Sequence, residues 1–168
     1  MVGRVWPRHR RRGRPLNSVV RHMAQFDPVR DVAGSAAIID SDGRWPNFHD
    51  AEVHSLNFWR GDMRPDDDVW IAATIEAKLE LCALEFPFIV VMKFHDCDEV
   101  EMADFNHSNQ IQDLSFAFEG RGYYTDGVTP LPPYIRVTFH RGFGVHLRFR
   151  CFRAEVLVRQ PSERRPCA

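Results

Sequence analysis

The chain has 168 residues, of which 44% are apolar and 27% charged, with a formal net charge of −1. That suits one domain of ordinary size, or one domain plus a tail, with enough apolar side chains for a core without disulfides or structural metal. No apolar run approaches the ~20 residues of a transmembrane helix, so no membrane span is expected.

The four cysteines, Cys82, Cys97, Cys151 and Cys167, form no Cys-x-x-Cys pair, and no secretory signal precedes them. They read as reduced thiols in a cytoplasmic protein. The small net charge conceals an asymmetry. Residues 1–21 contain seven arginines and no acid. Removing those seven from the 22 basic residues leaves 15 against 23 acids, so residues 22–168 carry −8.

In chain order, residues 1–35 lack sustained periodicity and read as a disordered basic arm. The run RHRRRGRP (8–15) is too charged to bury and is broken by Gly13 and Pro15. Three readings stay open for it: an arm for nucleic acid or an acidic surface, an organellar targeting peptide, and a leader with Met23 as the true start. Residues 17–26 offer a short helix with Val20, Met23 and Ala24 on one side. A folded domain is expected over residues 36–160, with a tail at 161–168.

A short apolar stretch and turn (36–43) lead into WPNFHDAEV (45–53). Pro46 pushes Trp45 towards an extended backbone, and the aromatics Trp45 and Phe48 are expected to anchor this polar loop on a core. Residues 50–60 fit either a helix, with Val53, Leu56 and Arg60 aligned, or a strand with His54, Leu56 and Phe58 on one face. The aromatics near its end and Gly61 favour the strand.

Residues 69–81 alternate without a miss, with Val69, Ile71, Ala73, Ile75, Ala77, Leu79 and Leu81 on one face, which predicts a long half-buried strand. Residues 88–94 (FIVVMKF) predict a central or doubly covered strand with Pro87 at its beginning. The acidic stretch 95–101 (HDCDEVE) and the turn cluster 105–109 (FNHSN) follow. A strand is expected at 114–118, then a long loop at 120–133. A hairpin turns at Gly142-Phe143-Gly144, with Ile135, Val137 and Phe139 facing the same side as Val145, Leu147, Phe149 and Cys151. Val156 and Val158 suggest a final strand. The expected fold is mainly β: a single antiparallel domain of about seven or eight strands with little helix.

Chemistry-bearing patterns are sparse. His49-Asp50 invites comparison with metal phosphohydrolases that use an adjacent His and Asp, and a small metal-dependent hydrolase on these two residues is one alternative. Those enzymes are helical, whereas this context is β-like, and the histidines and cysteines lack the spacing of a zinc site. A structural His-carboxylate or His-backbone bond is the favoured reading, with no metal or other cofactor. No nucleophile elbow, Walker loop or dinucleotide fingerprint is present, so no catalytic residue is assigned.

The last hairpin places Arg136 opposite Arg150, Thr138 opposite Arg148 and His140 opposite His146. Like charges directly opposite cost roughly 0.2–1 kcal/mol per pair. A neighbouring acidic strand, carrying Glu76 and Glu80, is the expected remedy; an anionic ligand or partner is the other. Two inter-strand loops, with Asp66, Asp67 and Asp68 in one and Asp96, Asp98 and Glu99 in the other, are expected to be the acidic contact surfaces.

WPNFHDAEV, with FHDCDEVEMADFNHSN further on, resembles the immunity protein 50 family, small and mostly β bacterial proteins encoded beside polymorphic toxins. The resemblance spans about residues 44–159. It is carried by Trp45, Phe48, His49, Asp50, Phe94, Phe105, Asn106, His107 and Asn109. Ser108 departs from the family pattern, which has Gln there. The resemblance implies binding and neutralisation of a cognate toxin, without catalysis. An acidic domain suits such a role, because its field speeds association with a basic partner. The remaining alternative is a nucleic-acid binder using the basic arm.

Overall fold

The alternating segments form seven antiparallel strands in a computed structural model that describes residues 25–60, 73–81 and 88–162. They are β1 (Glu52–Trp59), β2 (Ala73–Glu80), β3 (Phe88–Ala103), β4 (Ile111–Glu119), β5 (Tyr134–Arg141), β6 (His146–Cys151) and β7 (Arg153–Pro161). Among the described residues, helix amounts to α1 (Pro28–Asp31) and one 3-10 turn (Ser35–Ala37). None is long and apolar enough to cross a membrane.

The strand order is β1-β2-β3-β6-β5-β4, and β7 also pairs with β3. β6 and β7 are two halves of one bent partner of β3. β7 pairs with residues 88–95 and β6 with residues 98–103, and the Phe152 N–H donates to the His95 carbonyl at 3.0 Å between them. β3 is therefore central, as its apolar run predicts, but only one face is buried. Val90, Met92 and Phe94 point into the core, while Ile89 and Val91 on the other face are partly exposed.

The order closes on itself. Glu52 at the start of β1 bridges Gln110 just before β4. Three backbone hydrogen bonds of 3.0 Å stitch this seam: Asp50 N–H to the Ile111 carbonyl, Val53 N–H to the Asn109 carbonyl, and Ile111 N–H to the Ala51 carbonyl. A ring of strands has its inward residues in one core, and here Phe94, Phe139 and Phe149 meet edge-on or tilted at centroid distances of 4.9–6.4 Å.

The hairpin register is the predicted one, with Arg136 opposite Arg150 and Thr138 opposite Arg148. Its turn also packs against the seam. A Cβ on Gly144 would lie 2.1 Å from the Ser108 carbonyl oxygen and 2.3 Å from the Asn109 Cα, so this backbone approach excludes any side chain.

Three expectations need correction. The arm does not extend to residue 35: Phe26 and Val32 are buried, and Phe26 stacks on Phe116 at 5.3 Å. Ala33 bridges Glu155 of β7, and at Gly34 (φ 74°) the chain passes so close to the Val156 carbonyl that a Cβ would sit 2.6 Å from its oxygen. Isolated apolar anchors, rather than a periodic pattern, hold this segment.

The second correction concerns residues 95–101, which are not a loop. They continue β3, whose strand is bent where Asp96 (φ 54°) and Glu99 (φ 47°) adopt left-handed conformations. The pairing of β3 with β6 is irregular between Asp98 and Glu101. Third, β1 is a strand, but a bulge between Val53 and Ser55 changes its inward parity. Val53 is buried before it and Leu56 packs on the core after it, so His54 and Leu56 do not share one regular face. Residues 1–24, 69–72 and 82–87, on which the arm, the first part of the 69–81 strand and the β2–β3 connection fall, lie outside the described residues.

Candidate functional site

The seam brings residues 45–53 beside residues 105–109, the end of the second segment that carries the family resemblance, although more than fifty positions separate them; Phe94, at the start of that segment, lies in the core of β3. Phe48 is 1% exposed and Trp45 packs partly buried beside it, with ring centroids 5.8 Å apart. Trp45 also meets Phe116 edge-on at 6.0 Å. These are core anchors, and they fix the turn that follows. The Asn47 Oδ1 accepts from the His49 N–H at 2.8 Å, and Asp50 takes the left-handed conformation (φ 59°), which short polar side chains tolerate best.

That turn aims His49 and Asp50 outwards. Their side chains are 58% and 54% exposed, with His49 Nδ1 3.0 Å from Asp50 Oδ2. Across the seam, Asn109 is buried and its Oδ1 accepts from the Asn106 N–H at 2.8 Å. The Asn106 Oδ1 in turn accepts from the Ser108 N–H at 2.8 Å. These short-range bonds hold Phe105, Asn106 and His107 exposed. A surface depression of about 450 Å³ lies beside the turn, lined by Asn47, His49, Gln112, Asp113 and His140. His140 Nε2 is 2.6 Å from the Ser115 hydroxyl.

The acidic residues expected in loops divide. Asp66, Asp67 and Asp68 lie outside the described residues. Asp96 is exposed on the bend of β3. Asp98 and Glu99 answer the Arg136–Arg150 like-charge pair. Asp98 takes Arg150 in a two-point bond (2.8 and 3.1 Å), and Glu99 reaches Arg150 at 2.7 Å and Arg136 at 3.4 Å. Glu119 of β4 accepts from Arg136 Nε at 2.7 Å and lies 3.6 Å from Arg150 Nη1. The Asp98 hydrogen bonds push the already high pKa of Arg150 higher still, so this is a permanent cation. The expected remedy, a neighbouring acidic strand, thus takes a different form: the acids come from the bend of β3 and from β4, not from Glu76 and Glu80.

Glu80 belongs to another constellation, one that sequence reasoning missed. Glu52, His54 and Glu80 offer one ligand atom each, all within 4.8 Å of one another. Among the described residues this is the one such group of three, and His49-Asp50 is not part of it. The alternation of β2 places Glu80 on its polar face, but only the β1–β2 register brings it opposite Glu52.

The buried thiols Cys97 and Cys151 are both free. Burial pushes the Cys97 thiol up to about 12 and raises that of Cys151 as well, which suits inert core positions better than nucleophiles. Comparison with protein-family models, curated proteins and solved structures finds no match to this chain. The immunity-family resemblance therefore stands on the quoted residues alone.

Proposed function

We propose that the domain is an immunity-type protein that binds and neutralises a bacterial polymorphic toxin in the cytoplasm, without catalysis of its own. The observation that supports this most is the meeting of the two motif segments at one seam. Buried Phe48 and Asn109 with partly buried Trp45 build it, and the exposed members His49, Asp50, Phe105, Asn106 and His107 face outwards. Phe105 (47% exposed) and the nearby Met102 (52%) add apolar area beside these polar groups, the mixture that protein interfaces use.

The charge of −8 on residues 22–168 would steer a basic toxin towards this surface. Asp96 and the Asp66–Asp68 run are the acidic contacts this mechanism favours. Asp98 and Glu99, already held by arginines, would contribute field more than new bonds.

The test is co-expression with the toxin domain encoded by a neighbouring gene. The wild-type chain should protect cells and form a stoichiometric complex. His49→Ala combined with His107→Ala should weaken both without changing thermal unfolding. Added salt should slow association far more than it speeds dissociation. A folded double variant that protects fully removes the seam from the interface, and salt-independent association removes the steering.

A further inference from the structure

At the start of β1, Glu52 stands directly opposite Glu80 of β2. Two carboxylates in that register repel, and Glu80 is 7% exposed, which raises the cost of its charge. The bulge after Val53 brings an imidazole to the same place, with His54 Nε2 2.9 Å from Glu80 Oε2. The other Glu80 oxygen accepts from the Ser162 hydroxyl at the end of β7. The His54 side chain is 32% exposed, so the group is open to solvent on one side.

We propose that Glu52, His54 and Glu80 form a binding site for a divalent first-row transition-metal ion. Two observations converge on it. The donor set is mixed: an imidazole with two carboxylates suits zinc and its neighbours, whereas magnesium and calcium prefer oxygen alone. The spacing is close to that required. Two ligands on a tetrahedral ion at ~2.0–2.1 Å lie about 3.3 Å apart, so the 2.9 Å His54–Glu80 pair has to open by only a few tenths of an ångström. The Glu52 carboxylate, half-buried, already lies within 4.8 Å of both and supplies the third ligand.

The Ser162 hydroxyl plays the part of the outer partner that orients a ligating carboxylate. Three protein ligands leave at least one position for water or an incoming group. The ion would join β1 to β2 beside the seam and, through Ser162, to the end of β7, so it would raise the melting temperature.

The experiment uses the full chain without an affinity tag, stripped by a chelator and titrated with zinc chloride by calorimetry. One zinc per chain is expected at this site, with a rise in melting temperature. Cobalt(II) in place of zinc should give visible absorption bands. His54→Ala and Glu52→Gln should each weaken zinc binding by about tenfold or more, whereas His49→Ala should leave it unchanged. Two ligand variants are included because loss of the His54–Glu80 bond itself could unfold the domain; the metal-free melting temperature of each identifies a folded one. Absence of zinc binding by the wild-type chain at micromolar concentrations would overturn the proposal. So would undiminished binding by a folded His54→Ala or Glu52→Gln variant, or an equal loss in His49→Ala, which would assign the ion elsewhere.

Discussion

Phe48→Ala separates a core anchor from a contact residue. The ring is 1% exposed and packs beside Trp45 at 5.8 Å, and the Phe48 carbonyl accepts from the Ala51 N–H at 3.1 Å, next to the seam bonds. Removing a buried Phe side chain costs ~3–5 kcal/mol through lost transfer energy and the cavity left behind. The lost Trp45 contact belongs within that range, since an aromatic pair contributes ~0.5–1.5 kcal/mol. For a domain of this size the loss corresponds to a melting temperature lower by roughly 10–15 °C. Urea unfolding followed by circular dichroism measures it directly, and His49→Ala is the control, expected within about 0.5 kcal/mol of wild type because that side chain is exposed. A Phe48→Ala variant that unfolds within about 1 kcal/mol of wild type would refute the anchor, and if it also failed to bind toxin, Phe48 would be a contact instead.

Deleting residues 1–22 should leave thermal unfolding unchanged, whereas a deletion through residue 35 should lower the melting temperature sharply, because it removes the buried Phe26 and Val32. Gly144→Ala should destabilise by at least ~1–3 kcal/mol in urea unfolding, since the new methyl would meet the Ser108 carbonyl at 2.1 Å. Cys97 and Cys151 should resist alkylation at pH 8 in the folded protein and react after unfolding, read by peptide mapping that distinguishes them from Cys82 and Cys167. Their raised pKa also sets a sign for pH: the unfolded thiols ionise first, near 9, so the contribution of Cys97 to stability is complete below that value and is lost as pH rises towards about 12. Stability that increases across this window would contradict the burial of these thiols.

Legibility in the sequence followed the range of the interactions concerned. The β5–β6 hairpin could be read to the residue pair, because a three-residue turn and two alternating runs fix the register locally. The bulge at His54 made residues 50–60 ambiguous: it moves the inward position from Val53 to Leu56, which is helical spacing on a strand. The acidic stretch 95–101 looked like a loop because its charges are compensated by Arg136 and Arg150, some forty to fifty residues away. The segment around Phe26 and Val32 has no periodicity to show, since it lies outside the strands and is held by single buried residues, Phe26 against Phe116 and Phe118 among them. The Glu52–His54–Glu80 group depends on strand pairing and so could not be found by spacing within one segment.

The seam has a consequence for how the domain assembles. Hairpins such as β5–β6 close through short loops and can form early, but the ring is complete only when residues 50–53 reach residues 109–111. So few backbone bonds between segments so distant in sequence make this the natural latch of the ring, formed late in folding and first to open. Amide hydrogens of Val53 and Ile111 should therefore exchange by a lower-energy opening than those in the middle of β3. A partner gripping both sides of the latch would suppress that opening, so the bound chain would unfold more slowly than the free one, and the exchange rate at those two amides would report occupancy of the surface.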